Sequence, residues 1–206
     1  KMPLNLNENG LFRISLITDD KSLAAPQEII VAKLPKPRNV GKESYFGTHI
    51  SVRPFFIDYA KKIGIKWVRF HDGTKITKWA CAEPSPGKYR WFDTQVDAIL
   101  DAGLYILGLP DRPPKWASLK PGTSENVIKL DAYRKFIRKI TEHYKGRIDY
   151  WEIWNEPYMR YFFKGTPKQY GQILNIGSKI IKEVNSDAKV LGFCSEINGI
   201  SWAKQI

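Results

Sequence analysis

The stretch Tyr150-Trp151-Glu152-Ile153-Trp154-Asn155-Glu156-Pro157 decides how the chain is read. Apart from Asp149 and Glu152, residues 148–154 are apolar or aromatic, as a buried strand of a parallel sheet is, and the proline at 157 cannot donate to a continuing ladder. A carboxylate directly after an asparagine, where such a strand stops, sits where barrel-type α/β folds carry their chemistry. A lone Asn-Glu-Pro also begins many helices. The weight therefore comes from the strand before it and the aromatic residues around it.

An alternation of elements surrounds this strand. Leu130, Tyr133, Phe136, Ile137, Ile140 and Tyr144 stripe one face of a helix over 130–144, which Gly146 ends. Tyr170, Ile173, Leu174, Gly177, Ile180, Ile181 and Val184 stripe the next helix, and a strand follows over 189–193. Toward the N-terminus the pattern predicts strands over 46–51, 65–70 and 104–109. Between them lie a helix over 54–63, opened by Pro54 and closed by Gly64, and a helix over 92–102 stopped by Gly103. Five strands with four intervening helices is the βα pattern of a parallel sheet. A doubly wound sheet would favour a Gly-rich phosphate turn after the first strand, and Gly47-Thr48-His49-Ile50-Ser51-Val52 is not one. The expectation is an α/β fold, a (β/α)8 TIM barrel with about five of its eight units in residues 46–206. A full barrel takes ~250 residues, so these units are expected not to close on their own.

Residues 1–45 read as a β-rich N-terminal segment and linker, the end of a small β domain. Leu11 to Ile17 and Glu28 to Ala32 are β-like, with a turn-like break at Asp19-Asp20-Lys21-Ser22. Leu34-Pro35-Lys36-Pro37 follows as an extended linker.

Composition narrows the function classes. With 43% hydrophobic and 26% charged residues the sequence is that of a globular protein. No run approaches the ~20 apolar residues of a membrane span, and Lys1 to Gly10 lacks the apolar core of a secretion signal. Lys and Arg outnumber Asp and Glu by 33 to 21, but they are scattered, and no RNA-recognition, zinc-finger or leucine-zipper pattern accompanies them. Nucleic acid and membrane are therefore not expected partners. Cys81 and Cys194 lie far apart and form neither a disulfide framework nor a metal pair. His71-Asp72 lacks a third or fourth ligand at metal spacing, so neither a metal nor a cofactor is expected.

Two carboxyl groups with separated proton affinities are what glycosidic cleavage needs, and one must be protonated to donate to the leaving oxygen. Aromatic surroundings disfavour the charged form of a carboxyl, which fits Glu156, set between Trp154 and Tyr158, for that part. Asn155 is placed to hydrogen-bond a sugar 2-hydroxyl. Glu152, of the same strand parity as Glu156, is expected to form an ion pair with Arg69 inside the barrel. His71, Asp111 and Tyr158 lie at strand ends on the expected active face and are candidate substrate contacts. Trp116 either stacks on a sugar or packs its loop. Trp79 and Trp91 read as core or loop packing, and His143 as a surface residue of the helix over 130–144.

Trp151-Glu152-Ile153-Trp154-Asn155-Glu156-Pro157 resembles the fourth-strand signature of the retaining glycoside hydrolases of clan A, most closely family 39, which includes β-xylosidases and α-L-iduronidase. Phe46-Gly47-Thr48-His49 looks like that family's first strand and Gly64-Ile65-Lys66-Trp67-Val68-Arg69 its second. Glu83 to Tyr89 looks like the loop that follows, and Gly103 to Leu109 with Pro114 and Trp116 like the third strand and its loop. The resemblance implies a retaining glycoside hydrolase that works by two-carboxylate double displacement. Glu156 would be its general acid/base and Asn155 the neighbour that orients substrate. Arg69 would support the nucleophile and His49 would line the sugar subsite. The family's nucleophilic Glu follows its seventh strand, and no residue here matches it; Glu196, after the fifth, does not occupy that position. The resemblance further implies secretion or a periplasmic location, and a carbohydrate substrate, a neutral plant-type glycan first and an anionic glycan second. The remainder of the barrel would come as continuing sequence or a second fragment. The alternative is a non-catalytic carbohydrate-binding protein or degenerate barrel.

Overall fold

In a computed structural model, which describes residues 4–16, 27–34, 36, 40–41, 43–120, 127–193 and 195–206, the strands fall into two sheets. The smaller is an antiparallel hairpin of β1 (Gly10–Leu16) and β2 (Gln27–Lys33). Phe12 stands opposite Val31 and Ile14 opposite Ile29, while Leu11 and Ile30 lie open to solvent. The turn expected at residues 19–22, and the prolines of the 34–37 linker, lie outside the described residues.

The larger sheet holds β3 (Gly47–Thr48), β4 (Trp67–Arg69), β5 (Tyr105–Gly108), β6 (Tyr150–Glu152) and β7 (Lys189–Leu191). All four pairings are parallel and the spatial order is the sequence order. That is the order of a (β/α)8 barrel, since a doubly wound sheet reverses direction at a switch point. The strands are shorter than the apolar runs that predicted them; β4, β5 and β6 are trimmed at both ends. Gly47 is required where β3 meets β4: a Cβ there would lie 2.9 Å from Trp67 Cβ.

The connecting helices are α1 (Pro54–Lys62), α3 (Asp93–Asp101), α4 (Leu130–Tyr144) and α5 (Pro167–Val184). Proline at the first turn opens α1, and Thr166 with Gln169 forms a reciprocal capping box on α5. Two further helices, α2 (Trp79–Ala82) and α6 (Ile197–Ala203), and a 3₁₀ turn at Lys115–Ala117 were not expected from the pattern. No helix among the described residues is long and apolar enough to cross a membrane.

Strand alternation sorts the sheet's side chains to two faces. Val68, Ile106 and Trp151 point outward and are buried against the helices together with Trp79, Phe136, Ile140 and Ile173. Trp79 lies flat on Phe136, with ring centres 4.9 Å apart. Trp67, Arg69, Leu107, Tyr150, Lys189 and Leu191 occupy the other face and line a cavity of about 530 Å³. Strands β3 and β7 are the edges of this sheet.

Candidate active site

Arg69, the last residue of β4, organises the C-terminal end of the sheet. Its Nε donates to Glu152 Oε2 and its Nη2 to Glu152 Oε1, each at 2.7 Å, a two-pronged match of guanidinium to carboxylate. Nη2 also donates to Asn155 Oδ1 at 2.9 Å, and Nη1 lies 3.1 Å from His49 Nε2. Four sequence-predicted residues, from β4, from β6 with the turn after it, and from the loop after β3, thus meet on one guanidinium. The pairing of Arg69 with Glu152 is the one strand alternation implied.

The parity argument does not extend to Glu156. The ladder stops at Glu152, and Trp154 and Glu156 both take left-handed backbone, with φ of 72° and 40°. Asn155 rather than Glu156 therefore shares Arg69 with Glu152. The amide of Asn155 turns its other end outward, and Nδ2 donates to Glu156 Oε2 at 3.2 Å. The Tyr158 hydroxyl donates to Glu156 Oε1 at 3.1 Å. A half-buried carboxylate is so held by one donor on each oxygen at a strand's C-terminal end. Trp154, fully buried, anchors the turn through its Nε1 bond to the Phe162 carbonyl at 3.0 Å and edge contact with Phe163.

His71 is buried behind His49, their ring centres 5.5 Å apart, and its Nε2 finds no hydrogen-bond partner among the described residues. Burial first, and then the nearby Lys78 ammonium, push its pKa down to about 4, so the ring is neutral. Desolvation and Arg69 lower that of His49 as well. His49, His71 and Asp72 offer three potential ligand atoms within 4.8 Å of one another. Sequence spacing could not bring His49 into this group, because it comes from the neighbouring βα unit. The protons nevertheless oppose a cation there. Arg69 only donates, so His49 Nε2 must accept and Nδ1, the atom facing Asp72 at 3.8 Å, carries the hydrogen. With Arg69 and Lys78 also close by, the set does not fit a metal.

Asp111 follows β5, as expected, but its carboxylate is buried and lies 2.7 Å from the equally buried Lys78 ammonium. Desolvation raises the pKa of Asp111 and lowers that of Lys78, each opposed by the other's charge. The sequence reading missed Lys78; its signal was a lone lysine between Thr77 and Trp79 in a run that supplies buried residues. Arg112, read with Asp111 as a candidate substrate contact at the end of the third strand, has a left-handed φ of 51° and lies over the Phe162 ring at 5.8 Å. Of the two roles open to Trp116, the structure shows loop packing: its ring meets Trp79 edge-on and its Nε1 donates to the Glu83 carbonyl at 3.3 Å. Trp79 is core, and Trp91 stacks between Tyr89 and His143. That stacking corrects the surface reading of His143, which is half-buried at 4.2 Å from Trp91 and paired with Asp93 at 2.8 Å.

No family model matches the chain. A curated relative, a β-xylosidase from Caldicellulosiruptor saccharolyticus, is 23% identical over 167 residues, 70% of this chain and 33% of its own. A solved structure of a family 39 glycoside hydrolase from the gut symbiont Bacteroides cellulosilyticus WH2 matches with a TM-score of 0.69 at 17% identity, over 91% of this chain and 39% of its own. The fold is that of part of a (β/α)8 barrel of the kind this glycoside hydrolase has. Two further glycoside-hydrolase structures agree. The endoglucanase Cel5A from Thermotoga maritima has a TM-score of 0.56 at 19% identity, over 76% of this chain and 49% of its own. Xylanase 10B from Thermotoga petrophila RKU-1, solved with xylobiose, has 0.53 at 14%, over 78% and 53%. The fold resemblance to clan A, and to family 39 within it, therefore stands for the barrel units present. The chain spans about a third of the curated relative and 39% of the family 39 structure.

Proposed function

We propose that this chain supplies the acid/base side of a retaining glycoside hydrolase. The observation that carries the reading is the Glu156 carboxyl, held by Asn155 and Tyr158 on a left-handed turn at the end of β6 and tied through Asn155 to the Arg69–Glu152 pair. In this mechanism a second carboxylate, about 5–5.5 Å away, attacks the anomeric carbon while Glu156 gives its proton to the departing oxygen. Glu156 then takes a proton from the water that releases the sugar. Asn155, its carbonyl fixed by Arg69 and one amide hydrogen given to Glu156, has a second amide hydrogen with which to orient the 2-hydroxyl; neutral His49 and His71 stand nearby as hydrogen-bonding contacts.

The nucleophile belongs to three further βα units that pair with the edges β3 and β7 and cover the inner face. Supporting this are the apolar cavity lined from Gly47 to Leu191, the exposed Phe46 and Phe55 at one edge and Leu191 and Ile197 at the other, and the greater length of the relatives. A neutral xylose-type glycan is the leading substrate, supported by the β-xylosidase likeness, with an anionic glycan second. A secreted or periplasmic enzyme is the accompanying proposal, resting on the resemblance.

The test is Glu156→Ala in the full chain. Hydrolysis of glycosides with poor leaving groups should fall by about 10²–10⁴, the range of general acid catalysis, while activated aryl glycosides lose far less in the bond-breaking step. Equal losses, or none, would remove Glu156 from the role and leave a binding or degenerate barrel.

A further inference from the structure

We propose that Tyr158 is a positioning residue through which the segment after β7 sets the orientation and protonation of the Glu156 carboxyl. The proposal rests on the acid/base reading of Glu156 and assigns Tyr158 a different part from the substrate contact its sequence position implied.

A phenol hydroxyl has one proton to give and lone pairs to accept with. Here the proton goes to Glu156 Oε1 at 3.1 Å, and the oxygen accepts the Glu196 backbone N–H at 3.4 Å. Glu196 is the N-cap of α6. The ring is held from the same segment at two more points. Phe193 lies 6.1 Å away between ring centres, and Gly199 of α6 is so close that a Cβ there would fall 2.9 Å from Tyr158 Cδ1. Three contacts with residues 193–199 thus fix a side chain whose polar end touches the acid/base.

The other oxygen of Glu156 is served by Asn155 Nδ2 at 3.2 Å, so two donors on two oxygens define the plane of the carboxyl. Asn155 is fixed from β4 by Arg69, and Tyr158 from the β7 side by Glu196 and Gly199. The acid/base is braced between two loops of the barrel mouth. The charged groups facing the pair among the described residues are Glu196 at Tyr158, and Arg69 with Glu152 acting through Asn155. Desolvation, reinforced by the Glu156 carboxylate and opposed by the Glu196 N–H, holds the phenol above the ordinary tyrosine range, so it remains a donor wherever the enzyme works.

A donor on a carboxylate favours its ionised form. Tyr158→Phe in the full chain removes that donor and leaves the ring. The expected result is an alkaline limb of kcat/KM moved up by about 0.5–1 pH unit, consistent with one partly exposed hydrogen bond to a charge. A several-fold fall in kcat on poor leaving groups should accompany it, with KM changed less than twofold. Gly199→Ala crowds the Ser195 hydroxyl first and then the Tyr158 ring, displacing the ring without removing its hydroxyl; Ser195→Ala in the same background clears the first contact and leaves the second. Gly199→Ala should move the limb the same way in the native background and add nothing to Tyr158→Phe. A raised KM with an unmoved pH profile would make Tyr158 a substrate contact and overturn the proposal. An unmoved profile in both variants would overturn it too. Failure of the acid/base reading shows separately, as equal losses on both leaving-group classes in Glu156→Ala.

Discussion

Replacing Arg69 with Met tests the central ion pair directly. The Glu152 side chain is 4% exposed and that of Arg69 16%, with two N–O distances of 2.7 Å. Removing one partner of a buried pair costs about 3–5 kcal/mol, because the remaining charge loses the cation that neutralises it. The partial exposure of Arg69 places this case near the lower end, about 3 kcal/mol. Loss of the donor to Asn155 adds roughly 1 kcal/mol. At about 2–4 °C per kcal/mol for a domain of this size, Tm should fall by roughly 8–16 °C. The assay is urea unfolding with calorimetry on the native chain, Arg69→Met, Glu152→Leu and the double variant. The double variant should recover most of the loss, since an apolar pair of similar volume is often as stable as the ions it replaces. A cost below about 1 kcal/mol for Arg69→Met, or a double variant no better than the worse single, would refute the reasoning.

His71, with a folded pKa of about 4 against 6.5 for the free side chain, binds fewer protons folded than unfolded between those values. Stability should accordingly fall as pH drops from about 6.5 toward 4, and urea unfolding of His71→Gln should lack that component; identical pH profiles would refute the assignment. Trp154→Gly relieves a left-handed φ of 72° worth about 1 kcal/mol but deletes a buried indole worth about 3–5, so a net loss of roughly 2–4 kcal/mol is expected in the same assay. A more stable variant would show that the indole does not hold the turn.

The barrel units were legible because their signals are local. Apolar stripes at helical spacing gave α4 over the same residues, Leu130–Tyr144, that the structure shows, and glycine stops at 64, 103 and 146 take φ of 81°, 75° and 77°. The short α2 and α6 escaped because one or two turns carry too few residues for a period to register. At the site, Arg69, Glu152, Asn155 and His49 were named from sequence and meet as a group. What failed were statements that needed three-dimensional neighbours. Lys78 opposite Asp111 is a pairing across a loop, 33 positions apart, and no spacing rule reaches it. His143 was read from its own helix alone, whereas Trp91 and Asp93, from the chain entering α3, decide its environment.

The most instructive failure is the parity of the Glu152-to-Glu156 stretch. A continuous strand would put both carboxyls on the barrel's inner face and Asn155 outside it. Two left-handed residues, one on each side of Asn155, break that alternation and turn the asparagine onto Arg69. Among the described residues the third non-glycine with positive φ, Arg112, follows the C-terminal end of β5, the adjacent strand. Such backbone costs of order 1–3 kcal/mol per residue and persists only where the surroundings over-determine it. Here the surroundings are identifiable: the buried Trp154 indole, bonded to the Phe162 carbonyl, and the Arg112 guanidinium over the Phe162 ring. Phe162 therefore braces the turns at the ends of two adjacent strands. The same local departure that defeats strand arithmetic places an amide between the ion pair and the Glu156 carboxyl, joining the part of the sheet built for stability to the part proposed to react.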